Sequence, residues 1–359
     1  MKTVLFLIPT LTGGGAERVI VTLLRHLDRQ RFKLILAVVD CRQAVFREEV
    51  PNDVEFIDLG CTRVRQALPK IIGLIWRRRP DVVFSTLSHL NLALAMLRPL
   101  LPDKVRYLAR ETSLVSQNLA TMPWSRLWPL AYRFFYSTLD RVICQSEAMR
   151  EDLVGNFKLP GHKAVVIRNP VDIERLRILA AEPPAEPFSS PAGSIRLVAA
   201  GRLSLEKGFD LLLDSLALLN DPRFHLTVLG EGPLRGVLKA QMVALGLGRQ
   251  VRFLGYQSNP YPYFAQADAL VLSSRYEGLP NVVLEALACR TPVIAMPSIG
   301  GVKEILADCA GCLLAKEVSA PALAAVLASF IGARRLPENA AAAYALPIIL
   351  AAYERELLA

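Results

Sequence analysis

One pattern occurs twice in this chain, and it limits the fold more than any other feature. Thr3 to Ile8 is an apolar run, Thr10 to Gly15 is a loop with three consecutive glycines, and Ala16 to Leu27 is amphipathic. The same order returns at Ile195 to Ala200, followed by Gly201 and the start of a second helix. A short apolar run bounded by turn residues reads as a buried strand, and the 3.6-residue periodicity after it as a helix packed on that strand. Strand, glycine turn, helix is the opening of a Rossmann-like half, so two openings predict two α/β domains with parallel sheets. Ala181 to Gly193 separates them and is rich in proline, a linker composition. The reading is therefore a first domain over 1–175, a linker over 176–192, a second domain over 193–339 and a terminal helix over 340–359. With 359 residues, each domain has room for its own core.

The two glycine turns differ in what they offer. Gly13 and Gly15 lack the third glycine of a dinucleotide fingerprint, because Arg18 stands in its place, so NAD is not indicated. Gly14 and Gly15 carry no side chain, which lets a ligand approach the backbone; a plain tight turn is the alternative. In the second half, Arg202 and Lys207 flank the helix start, where two cations neutralise a diphosphate better than helix dipoles alone.

Ala269 to Leu272 reads as a strand that runs into Ser273–Ala286, the most informative stretch of the chain. Its turn contains Gly278 and Pro280, and Asn281 opens a helix. Glu277 falls at the carboxyl end of the strand, where open α/β sheets bind ligands. Glu285 falls about one turn into the helix, where a carboxylate can accept two hydrogen bonds from a ribose diol. The N–H groups around Gly278 and Leu279 form an anion- or hydroxyl-binding corner between them. Taken alone, two glutamates in a loop and a capped helix also fit an ordinary solvated surface.

Glu277 and Glu285 are separated by seven residues, and this spacing resembles the Glu-x7-Glu signature of retaining glycosyltransferases with the GT-B fold, family 4 in particular. The segment from Gly201 through Arg202 and Lys207 to Gly208 is similar to that family's pyrophosphate segment. Gly13 to Val19 is similar to its amino-terminal glycine loop, so the resemblance covers nearly the whole chain. It implies two facing Rossmann-like domains with a cleft, the first for the acceptor and the second for a nucleotide sugar, UDP-linked as a rule. The terminal helix would cross back to the first domain. It also implies transfer with retention, Glu277 on hydroxyls of the transferred sugar, Glu285 on the ribose, and Arg202 and Lys207 on the leaving diphosphate. His89, beyond the end of the Asp81–Phe84 strand, would make a polar contact to sugar or acceptor, and Glu111, at a similar strand end, would face the acceptor side. No Asp-x-Asp occurs in the chain, so a metal is not expected and no cofactor beyond the nucleotide-sugar substrate is needed. A GT-B nucleotide-sugar epimerase and a non-catalytic sugar-nucleotide-binding subunit are the alternatives.

Charge adds a partner. The net charge is +9, and Met1 to Arg175 holds 26 basic against 17 acidic residues while the remainder holds 16 of each. Such asymmetry points to an anionic partner for the first half. No nucleic-acid module is recognisable. The basic residues mingle with apolar stretches instead. Leu68 to Arg79 carries Trp76 beside Arg77, Arg78 and Arg79, and Met122, Trp124 and Trp128 accompany Arg126. A core helix with a basic cap fits the first of these equally, but the combination predicts a peripheral protein on the cytoplasmic face of the inner membrane, acting on a lipid-linked or growing glycan acceptor. No run of about 20 apolar residues spans a bilayer. The six cysteines have no framework spacing, and Cys309 and Cys312 form a lone C-x-x-C without a second pair, so reduced thiols are expected.

Overall fold

A computed structural model describes residues 1–120, 128–188, 190–307, 309–332 and 335–359. Met122, Trp124 and Arg126 of the expected interfacial segment lie outside the described residues. The chain forms two compact units. The first comprises Met1–Pro170 with Pro347–Ala359, and the second Val171–Leu346.

In the first unit, seven strands are β1 (Lys2–Thr10), β2 (Phe32–Asp40), β3 (Glu55–Asp58), β4 (Val82–Thr86), β5 (Arg106–Arg110), β6 (Arg141–Cys144) and β7 (Ala164–Val166). All neighbours are parallel, in the order β3-β2-β1-β4-β5-β6-β7. Leu5 and Leu7 enter one core cluster, whereas Val4, Phe6 and Ile8 enter another. This is the period-2 alternation of a strand buried on both faces, which a parallel sheet covered by crossover helices requires. The order reverses between β1 and β4, so the glycine loop after β1 and the His89 segment after β4 leave the sheet side by side.

The second unit repeats the arrangement with β8 (Ile195–Ala200), β9 (Phe224–Leu229), β10 (Val251–Gly255), β11 (Ala269–Leu272), β12 (Val293–Ala295) and β13 (Leu313–Leu314). Their order is β10-β9-β8-β11-β12-β13, again all parallel. The reversal falls between β8 and β11. Ligands of open α/β sheets bind outside the carboxyl ends of the strands at such a point, and the loops that issue there are those of Arg202 and Glu277.

Two boundaries differ from the sequence reading. The stretch 176–192 is not a tether between the units but part of the second one. Leu176, on the helix Ile173–Ala180, is buried in that unit's core together with Tyr261 and Leu287. The Phe188 ring packs tilted against Tyr263 with centroids 5.9 Å apart, and Tyr263 OH accepts from the Glu186 N–H. Proline-rich composition specifies an irregular path, and here that path is pinned to a surface. At the other end, the terminal helix begins at Leu346 and not at 340. Ala345 is extended, with Val171 N–H donating to Tyr344 O and Leu346 N–H to Val171 O. These long-range backbone bonds take the groups a helix would have used, and Pro347 sits in the first turn, where its missing N–H costs nothing.

Candidate functional site

In the second unit, β8 leads through Gly201 and Arg202 into a short turn ending at Gly208, and β11 leads into Ser273–Pro280. The two loops are joined along their length. Ser273 Oγ donates to Lys207 O at 3.0 Å, and the Arg275 N–H donates to Glu206 O at 2.8 Å. Arg275 also makes a two-pronged ion pair with Asp210, with contacts of 2.8 and 2.6 Å. Those hydrogen bonds hold the Asp210 carboxyl below its ordinary range. Gly208 permits the approach: a Cβ there would stand 2.1 Å from Ser273 O.

At the centre lies Glu277, 8% exposed. Its Oε1 accepts from Lys207 Nζ at 2.6 Å and from Ser274 Oγ at 2.6 Å. A carboxylate this enclosed is held in one orientation by its partners, as a group that must meet a ligand in fixed geometry requires. Gly278 and Leu279 are buried beside it, and Glu285 is half-buried in the second turn of the helix Asn281–Ala288. Arg202 is exposed, and no ion pair engages its side chain among the described residues. The fold thus brings Lys207, Glu277, Gly278 and Leu279 together on adjoining loops and leaves Arg202, on the same loop as Lys207, reaching into solvent.

Sequence reasoning missed a third wall. After β12 the chain passes through Ile299, Gly300 and Gly301. The Glu277 N–H donates to Ile299 O at 2.9 Å and the Gly301 N–H to Gly278 O at 2.8 Å. A Cβ on Gly300, whose φ is +123°, would stand 1.8 Å from Glu277 O. The Gly300–Gly301 pair was the available signal.

The remaining expected residues belong to the first unit. Gly14 caps the helix Gly15–His26. A Cβ on it would stand 2.4 Å from Glu17 Oε2, so Gly14 admits the carboxylate of its own helix's first turn. Glu17 Oε1 also accepts from Thr10 Oγ1 at 3.1 Å. His89 is exposed near the start of the helix Ser88–Leu97. The residue before that helix, Leu87, has φ +75°, an uncommon conformation for a non-glycine residue and one concentrated at functional sites.

Glu111, expected on the acceptor side, is fully buried. Its carboxylate accepts from Ser88 Oγ at 2.5 Å, from Asn91 Nδ2 at 2.8 Å and from Tyr136 OH. Burial pushes its carboxyl above the ordinary range, against the lowering pull of these bonds. Glu111 ties the end of β5 to the first turn of the helix that carries His89.

Among the described residues no group of three or more His, Cys, Asp or Glu side chains is arranged to hold a metal ion. No described helix is long and apolar enough to cross a membrane.

Residues 13–175 match the Glycosyltransferase Family 4 profile and residues 185–345 the profile of glycosyl transferases group 1. The lipopolysaccharide core biosynthesis glycosyltransferase LpsE of Rhizobium meliloti is 30% identical over 254 residues, 64% of this chain and 69% of LpsE. The N-acetylgalactosamine-N,N'-diacetylbacillosaminyl-diphospho-undecaprenol 4-alpha-N-acetylgalactosaminyltransferase of Campylobacter jejuni is 27% identical over 314 residues, 83% of this chain and 82% of that enzyme. In fold, HepE of Anabaena, solved with UDP and glucose, matches over 100% of both chains with a TM-score of 0.79 at 19% identity. Two parallel sheets each reversing beside a glycine turn, the Glu277–Lys207 site and these matches together identify the chain as a glycosyltransferase of family 4 with the GT-B fold.

Proposed function

We propose that this enzyme transfers a hexosyl group, with retention and without a metal, from a UDP-sugar to a lipid-linked or growing surface-glycan acceptor. The observation that carries the reading is the contact of Lys207, on the loop it shares with Arg202, with Glu277 at the carboxyl end of β11. Lys207 and Arg202 neutralise the diphosphate as it departs, the type of electrostatic stabilisation that dominates many group transfers. Glu277 holds hydroxyls of the transferred sugar, Glu285 the ribose, and the N–H groups of Gly278 and Leu279 the oxygens between them. The leaving phosphate takes the proton of the incoming acceptor hydroxyl, so no separate base is needed. The Gly14–Gly15 loop admits donor and acceptor closely, and His89 contacts sugar or acceptor.

Two relatives support the substrate class: the Campylobacter enzyme is named for an undecaprenol-diphosphate-linked acceptor, and HepE was solved with UDP. The membrane reading rests on the first unit's surface. Trp76, Leu130 and Phe134 are exposed, and their helices, Val64–Arg78 and Trp128–Phe135, pack into one core cluster beside the exposed Arg77, Arg78, Arg79 and Arg133. Mixed apolar and cationic surface of this kind suits an anionic leaflet and supports the reading of a peripheral enzyme on the cytoplasmic face.

The test is mass spectrometry and anomeric analysis of products from a panel of nucleotide sugars and polyprenyl-linked acceptors, with and without a strong chelator. A product of retained configuration from a UDP-sugar, formed equally in chelator, is expected. Inverted product, or loss of turnover on chelation, overturns the mechanism. Release of an epimerised nucleotide sugar without acceptor overturns the transfer.

A further inference from the structure

Six cysteines are present, all as free thiols, and two of them stand apart by their setting. After the helix Val302–Leu306 the chain turns between Cys309 and Cys312. The Cys312 N–H donates to Cys309 O at 3.0 Å, and Gly311 supplies a φ of +98°, the left-handed conformation that the third residue of a type II turn requires. This turn brings the two sulfurs to 2.8 Å. A disulfide needs an S–S distance of about 2.05 Å and Cα atoms roughly 4.4–6.8 Å apart, within the span of a β-turn. Closure therefore asks for less than about 1 Å of sulfur movement and no new chain path.

The surroundings favour a reactive pair over a packed one. Both cysteines are partly exposed, and Ala310 and Gly311 between them are exposed, whereas Cys144 and Cys289 are buried. The Cys312 thiol is hydrogen-bonded to Cys309, which lowers the Cys309 pKa and raises that of Cys312. Cys309, the more exposed of the two and the one whose pKa is lowered, is the better attacking thiol in exchange. A tetrahedral metal site would need further ligands, and among the described residues no third candidate completes a cluster.

We propose that Cys309 and Cys312 form a reversible dithiol–disulfide site for low-molecular-weight disulfides. The Cys309 thiolate attacks one sulfur of such a disulfide, forming a mixed disulfide and expelling one thiolate. Cys312 then loses its proton to solvent and attacks Cys309 Sγ, expelling the second thiolate and closing the intramolecular bond. Two electrons pass from the protein to the oxidant, and the two protons lost by the cysteines reappear on the two small thiols. The modified turn lies one short helix away from Gly301, whose N–H is bound to Gly278 O of the donor-side loop.

The test uses the full chain, equilibrated with reduced and oxidised glutathione, then alkylated and mapped by mass spectrometry. Cys309 and Cys312 should lose label together and regain it in dithiothreitol, while Cys41, Cys61, Cys144 and Cys289 stay labelled. Cys312→Ser should hold one glutathione on Cys309, and Cys309→Ser should acquire glutathione roughly tenfold more slowly. Retention of both labels in excess oxidised glutathione, a stable glutathione adduct on the unmutated chain, or a disulfide to another cysteine would each overturn the proposal. The unmutated protein decides the main point even if a variant fails to fold.

Discussion

The ammonium of Lys207 lies 2.6 Å from Glu277, so a diphosphate that recruits it must share it with a carboxylate already in place. Arg202 carries no such obligation, and the two cations should differ when removed. On the proposed roles, Arg202→Ala and Lys207→Ala should each lower turnover by about 10²-fold. Only Lys207→Ala also deprives Glu277, whose side chain is 9% exposed, of its cation and leaves it the Ser274 hydroxyl, at a cost of about 1–3 kcal/mol of folding stability. Arg202→Ala should stay within about 0.5 kcal/mol of the parent. Urea denaturation beside a turnover assay separates the two; equal stabilities would contradict the pairing. Glu111 gives a pH signature. Its folded-state pKa is raised above the ordinary 4.5, so its contribution is greatest below that value and is lost as pH rises through the folded-state pKa. The stability of the parent relative to Glu111→Gln should therefore fall with increasing pH, by at most about 1.4 kcal/mol per unit. A flat difference across a pH series of denaturation curves would show that the three hydrogen bonds cancel the effect of burial, and a rising one that they outweigh it.

Among elements, the loops at the ends of β8, β11 and β12 depend on backbones that nearly touch. Gly300→Ala would force a Cβ into Glu277 O from a left-handed φ, so it should cost more than about 2 kcal/mol and weaken donor binding. Gly73, inside the helix Val64–Arg78, makes the contrast, because an added Cβ would meet nothing within 4 Å: Gly73→Ala should stabilise by about 0.5–1 kcal/mol. Thermal melts and calorimetric titration with UDP check both. The same contrast explains what was legible beforehand. The Ala269–Leu272 strand and its turn at Gly278 and Pro280 are local patterns, and they placed Glu277 correctly at the end of β11. What Gly300 touches is a long-range fact that its own neighbourhood does not encode. Glu111 follows a strand just as His89 does, and no periodicity separates a carboxylate facing inward from one facing solvent. The 340–345 stretch has helical composition, yet backbone bonds to Val171 override it.

At the scale of the whole molecule, charge and connectivity each make a prediction. If the first unit's basic surface meets an anionic leaflet, sedimentation with anionic liposomes should fall as salt is raised. Arg77, Arg78 and Arg79 changed together to Glu should then release the enzyme while sparing donor hydrolysis. Liposome binding indifferent to both treatments would refute the surface. The helix Leu346–Leu358 supplies Ile349, Tyr353 and Leu357 to the first unit's core. Tyr353 is 0% exposed, lies 6.0 Å from the Phe84 ring and accepts from Arg110 Nε at 3.0 Å. Tyr353→Ala should cost the first unit about 3–5 kcal/mol, read as an earlier melting of that unit by hydrogen exchange, with the second unit unaffected. This connectivity also bears on synthesis. Domains usually fold in the order they leave the ribosome, but here the amino-terminal unit lacks part of its core until the whole second unit has been translated. The later unit is the first whose core can be complete, and the earlier one receives Ile349, Tyr353 and Leu357 only after it.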